Sequence, residues 1–167
     1  MNASARIVAT IIMAACMFQI KAQKNNIWCF GDSAGIDFNN SAAPLLFNSA
    51  VVSRGSCASI CDSNGSLLFY ASYDADVYTS GGPSDYGGEV FLKTHFTMQN
   101  GDLIIMQLWY NEVIIIPNPY NSNLFYIFTI GVTSQITGLF YSLVDLNQNN
   151  GMGAVIQKNV QLNNYQA

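Results

Sequence analysis

Ionisable side chains are scarce in this chain of 167 residues: a tenth of them are charged, and there is one histidine. The densest group is Tyr73 to Glu89, YDADVYTSGGPSDYGGE, which holds Asp74, Asp76, Asp85 and Glu89. Two chemistries suit such acids. Carboxylate oxygens on an exposed loop can bind calcium, and two carboxyls held about 5 Å or somewhat further apart can hydrolyse a glycosidic bond. Tyr73, Tyr78 and Tyr86 flank the acids and could stack on a sugar ring. The candidate ligand-contact loop is therefore Tyr73, Asp74, Asp76, Tyr78, Asp85 and Tyr86; a hydrolase would draw on Asp74, Asp76 or Glu89. Against these stands the plainer reading of a solvated Gly/Pro loop, and no catalytic constellation is assigned. The loop lacks the Lys-Ser/Thr ending of a phosphate loop.

The other reactive residues point to less. His95 has no second histidine and the chain has no Cys-x-x-Cys pair, which excludes a zinc site. His95 reads as a packing or surface residue. Cys57 and Cys61 lie in one strand-like run, where four residues span roughly 13 Å, too far for a disulfide. Cys29 could reach either one if their strands are neighbours; buried free thiols are the preferred reading. Asp145 to Gly151 (DLNQNNG) places glycine seventh and Ile156 twelfth, where a calcium loop needs glycine sixth and an acid twelfth. It reads as a turn. A net charge of −4 with six basic residues excludes a nucleic-acid surface.

The first residues are an address. Arg6 supplies a positive start, Ile7 to Ile20 an apolar stretch, and Ile20-Lys21-Ala22 a cleavage site, so residues 1–22 form a signal peptide and residues 23–167 the mature domain. The stretch is interrupted by Thr10 and Gln19 and falls short of a membrane span. Met13-Ala14-Ala15-Cys16 resembles a lipoprotein box, but Met17 and Phe18 prolong the apolar run beyond Cys16, which favours ordinary cleavage. The mature chain then has no transmembrane span.

The mature chain alternates strand-length apolar runs with turns. Strands are expected at Ile27–Phe30, Ile36–Phe38, Leu45–Phe47, Val51–Ser53 and Val77–Thr79. Cys57 to Ser72 is a hairpin around Asp62-Ser63-Asn64-Gly65, with Asp62 accepting from the turn's own amides. Asn100-Gly101-Asp102 is a further turn. Later strands are Val113–Ile116, closed by Pro117; Leu124–Ile130, apolar on both faces and central in its sheet; Leu139–Leu146; and Ala154–Leu162. Asn118–Asn123 and Asn147–Gly153 are the turns between them. The triplet Leu-Phe-Tyr recurs at Leu68–Tyr70, Leu124–Tyr126 and Leu139–Tyr141.

Repeated strand–turn–LFY–strand units match the four-stranded blades of a β-propeller. The expected class is all-β: antiparallel blade-like sheets forming a partial β-propeller of two to three blades after an N-terminal signal helix. The DSNG turn is similar to the aspartate-box turn of sialidase-like propellers, with a longer spacing and no trailing Trp.

The stretches IWCFGDSAGIDFN, GSCASICDSNGSLLFY, MQNGDLI, VIIIPNPYNSNLFYIFTI and GLFYSLVDLNQNNGMGAVIQKNV together resemble the propeller-like N-terminal region of large secreted proteins of gliding bacteria. Those proteins carry a type IX secretion sorting domain at the far C-terminus. The resemblance implies a Gram-negative bacterium, passage through the periplasm, and secretion or display on the outer cell surface. Later blades and the sorting domain have no counterpart here, so the chain reads either as a fragment or as a part that assembles with something else. The function this implies is a non-catalytic interaction or adhesion module whose partner is a protein or glycan at the cell surface. The alternatives are a fragment of a propeller glycosidase and an envelope sensor.

Mass spectrometry of the exported chain is expected to place the mature start at or near Gln23. A lipidated Cys16 at the N-terminus would contradict this reading.

Overall fold

The computed structural model describes residues 25–40, 42–53, 55–74, 86–107, 112–133 and 136–162. The expected signal helix and the strand at Val77–Thr79 lie outside them. The described chain is all-β, in three antiparallel sheets that stay open. The first sheet holds β1 (Ile27–Phe30), β2 (Ala34–Asp37) and β3 (Leu45–Asn48). The second holds β4 (Cys57–Cys61), β5 (Leu67–Tyr73) and β6 (Gly88–Leu92). The third holds β7 (Val113–Asn118), β8 (Asn121–Val132), β9 (Thr137–Asp145) and β10 (Ala154–Gln161). Within each sheet every strand pairs with the next in sequence. Among the described residues no helix is long and apolar enough to cross a membrane.

Local chemistry makes the turns. Asp62 Oδ1 accepts from the amides of Asn64 and Ser66 at 2.8 and 2.9 Å, and Gly65 takes the positive φ of 86° that the reversal demands. Between β9 and β10, the single turn α1 (Gln148–Gly151) contains Asn149 and Asn150 in left-handed backbone, a conformation asparagine tolerates. Asp145 closes it: Oδ1 accepts from Asn147 N and Oδ2 from Gln148 Nε2, both at 2.9 Å.

The sheets stack face to face, and the second lies in the middle. One core cluster joins Ile60, Phe69, Ala71 and Val90 of the second sheet to Val113, Ile115, Phe125, Ile127 and Val144 of the third. The other joins Cys61, Leu67, Tyr70 and Phe91 to Cys29 and Val51, with Ile27 and Phe47 alongside. Alternation along β5 therefore serves two cores at once. A bulge at Leu68 lets Leu68 and Phe69 both face the third sheet, while Leu67 pairs with Cys61 toward the first. Phe69 and Phe125 meet edge to face at 5.4 Å, and Tyr70 stacks on its cross-strand partner Phe91 at 5.1 Å.

The first strand of each sheet faces the same region: β1 packs against β4, and β4 against β7. At the far edge, residues 97–106 lie along β6 as an irregular further strand, with Gly88 and Ile104 exchanging both backbone bonds. Asn159 of β10 clamps this segment, accepting from Ile105 N at 2.9 Å and donating from Nδ2 to Leu103 O at 2.8 Å.

Several expectations need correction. Val51–Ser53 is coil, with Val51 and Ser53 buried and Val52 exposed; Val51 O accepts from Ser33 N in a turn of the first sheet, so no ladder forms there. Pro117 does not end its strand: β7 runs through it to Asn118, because an edge strand tolerates the missing amide. β8 is, as expected, interior to its sheet, and its two faces differ in burial. Phe125, Ile127 and Thr129 point inward, while Tyr126, Phe128 and Ile130 lie on the outer face.

Phe125→Ala is expected to cost about 3–5 kcal/mol of stability, since it opens the seam between two sheets. Tyr126→Ala, on the outer face, is expected to cost less than half of that. Denaturant midpoints read the difference, and equal losses would contradict the stacking.

Candidate functional site

The expected contact loop is only partly described, and what is described divides. Asp76, Tyr78 and Asp85 lie outside the described residues. Tyr73 ends β5 and is 5% exposed, inside the core between the second and third sheets. Its ring lies over Gly87 so closely that a Cβ there would sit 2.2 Å from Tyr73 Cε2. Tyr73 is thus a packing residue, a correction to its place among the ligand contacts. Tyr86 is half-buried and bridges to Met106.

Asp74 and Glu89 do come together. The β5–β6 register sets Ser72 opposite Glu89, and Asp74 N donates to Gly87 O at 2.6 Å. The Glu89 carboxyl is pushed up to about 7, chiefly by burial, then by the neighbouring charge of Asp74 and a hydrogen bond to it, then by Asp102. The two carboxyls are thus close neighbours. Hydrogen-bonded carboxyls stand closer than the roughly 5 Å or more that glycoside hydrolysis requires. Asp102 itself is held low, first by the hydrogen bond from Lys158, whose Nζ lies 2.9 Å from Oδ1. Among the described residues no group of three or more His, Cys, Asp or Glu side chains is placed to hold a metal ion.

The cysteines among the described residues, Cys29, Cys57 and Cys61, are free thiols. Cys29 is pushed up to about 12 by burial, with smaller contributions from Cys61 and Cys57. Burial also raises Cys57 and Cys61. Such thiols stay protonated and serve as small core residues. His95 is likewise structural. Its Nδ1 lies 2.9 Å from the Tyr70 hydroxyl, which also accepts from Ala50 N at 3.0 Å, and its ring stacks on Phe47. It ties the turn after β6 to the first sheet.

Two clefts lie elsewhere. One, of about 660 Å³, opens where β1, β4 and β7 converge, lined by Trp28, Phe30, Phe38, Cys57 and Ile114 among others. Its wall is mainly apolar. The Trp28 indole donates to Asn25 O at 2.9 Å and the Ser59 hydroxyl to Ile27 O at 2.8 Å, so both are already engaged. The second, of about 630 Å³, lies between the β4–β5 and β7–β8 turns. Asp62 and Ser63 form one wall and Pro117 to Asn123 the other. Sequence reasoning missed it, because each wall reads locally as a turn and only the stacking of two sheets brings them together. The one local signal is Tyr120 between proline and asparagine, with no apolar run to bury it.

Glu89→Gln tests the raised Glu89 carboxyl through stability. Glu89 ordinarily ionises near 4.5 and in the fold near 7. The folded state therefore holds the extra proton between these values, and stability falls as pH rises through that window. Partial exposure discounts the full shift. Glu89→Gln is expected to melt about 2–4 °C above the parent at pH 8 and to show no gain at pH 4. An equal effect at both pH values would contradict the raised Glu89 carboxyl.

No family model, curated protein or solved structure matches the chain.

Proposed function

We propose that the chain is a non-catalytic, exported interaction module built as an arc of a β-propeller, the N-terminal part of a larger type IX secretion cargo at the surface of a Gram-negative cell. The observation that carries the architectural part is the convergence of β1, β4 and β7, the first strands of three successive meanders stacked face to face. Radial blades around an axis have this arrangement. Both end faces of the stack are apolar and open. Leu46 is 80% exposed in the first sheet, and Ile130 is 45% exposed in the third. Faces of this kind call for further apolar sheet surface. The interaction role draws on resemblance for its compartment. It draws on the scaffold for its plausibility, since turns on a stacked β core are well placed to carry contacts. The partner is a surface protein or glycan. A net charge of −4 is unsuited to nucleic acid.

A glycoside hydrolase is the second reading, favoured by one observation: Glu89 stays protonated to about pH 7, as a general acid must. The close spacing of Asp74 and Glu89 argues for the non-catalytic reading.

Incubating the processed chain with isolated cell-envelope material is expected to give saturable binding with no sugar released. Release of reducing sugar that disappears in Glu89→Gln would replace this reading with the hydrolase.

A further inference from the structure

The cleft between the β4–β5 and β7–β8 turns continues into a second one. A cleft of about 280 Å³ adjoins it, sharing Leu68 and Leu146, and extends past Leu92, Lys93 and Thr94 to Met152. The two make one groove across the end of the second and third sheets, with Leu68 and Leu146 as its common floor. The larger lobe alone is within the roughly 300–1,000 Å³ typical of ligand sites.

Its tip is preorganised. Asn118 Oδ1 accepts from Tyr120 N at 2.8 Å and Asn121 N at 3.2 Å, and Asn118 Nδ2 donates to the Tyr126 hydroxyl at 3.3 Å. Asn121 Oδ1 accepts from Asn123 N at 3.0 Å, and Asn123 O from Leu146 N at 2.9 Å. The opposite wall is the Asp62 turn, fixed by its own amide bonds. On this rigid frame Tyr120 stands 96% exposed, beside the ring of Pro119.

We infer that this groove binds a neutral oligosaccharide chain. Tyr120 and Pro119 offer flat apolar surfaces for the C–H face of a sugar. Asparagine amides both donate and accept, as sugar hydroxyls require, and Ser63 and Thr94 add hydroxyls. Charge is sparse: the whole groove holds one carboxylate, Asp62, and one ammonium, Lys93. An anionic polysaccharide or a charged peptide would lack partners. Because the turns are already fixed, little ordering is needed on binding. The inference rests on the interaction-module reading and names its ligand class.

The test titrates the purified chain calorimetrically with neutral tetra- to hexasaccharides cut from glucan, xylan, mannan and chitin. At least one series is expected to bind, about tenfold more weakly in Tyr120→Ala and in Asn123→Ala, with no change in Tyr86→Ala. Unchanged unfolding temperatures show that the variants are intact. Failure of every series, binding insensitive to Tyr120→Ala, or occupation of the groove by a peptide instead would overturn the inference. Envelope material bound equally by the parent and by Tyr120→Ala would remove the groove and leave the interaction module standing. If the parent binds no envelope material, the module reading falls separately.

Discussion

Everything in this fold depends on the second sheet being buried on both faces. An ordinary antiparallel sheet buries one face and wets the other. Here β5 is the middle strand of the middle sheet, and its residues Phe69 and Tyr70 are both fully buried, pointing to opposite neighbours. Two cores therefore share one backbone, and neither outer sheet has another apolar face to lean on in the described chain. The Leu68 bulge, the Tyr70–His95 bond and the Asn159 clamp all keep this sheet in register with its neighbours.

That constraint also sorts chemistry from packing. Residues that look reactive in isolation are drawn inward: the thiols lose acidity to burial, the one histidine bonds to a core tyrosine, and Tyr73 is absorbed into the seam. What remains accessible lies at the ends of the strands, where asparagine and aspartate side chains spend some of their bonding capacity on their own turns. Those bonds make the turns rigid, and rigidity suits a recognition surface better than a mobile loop does.

The legible part of the fold was the local part. The hairpin from Cys57 to Ser72 follows from a turn that asparagine and glycine permit and Asp62 caps. The four late strands follow from the turns between them. What stayed hidden depends on sheet-to-sheet placement. Alternation along β8 shows two apolar faces but not which one a neighbour covers. The edge segment 97–106 carries Asn100 and Leu103 at positive φ, which breaks any strand pattern. Asp74 and Glu89 meet only because the β5–β6 register aligns them, and the groove exists only because two sheets stack with their turns at one end. Tyr73 was grouped with the loop that follows it, although its position continues the alternation of β5.

Amide hydrogen exchange, resolved by residue, tests the double burial most directly. Regions that open only with global unfolding exchange slowest. The account expects the amides of β5, Leu67–Tyr73, to be the most protected in the chain, exchanging at the global limit and more slowly than those of β3 or β10. If β5 exchanges as fast as those edge strands, the second sheet is not the shared support of two cores, and the stacked architecture is wrong.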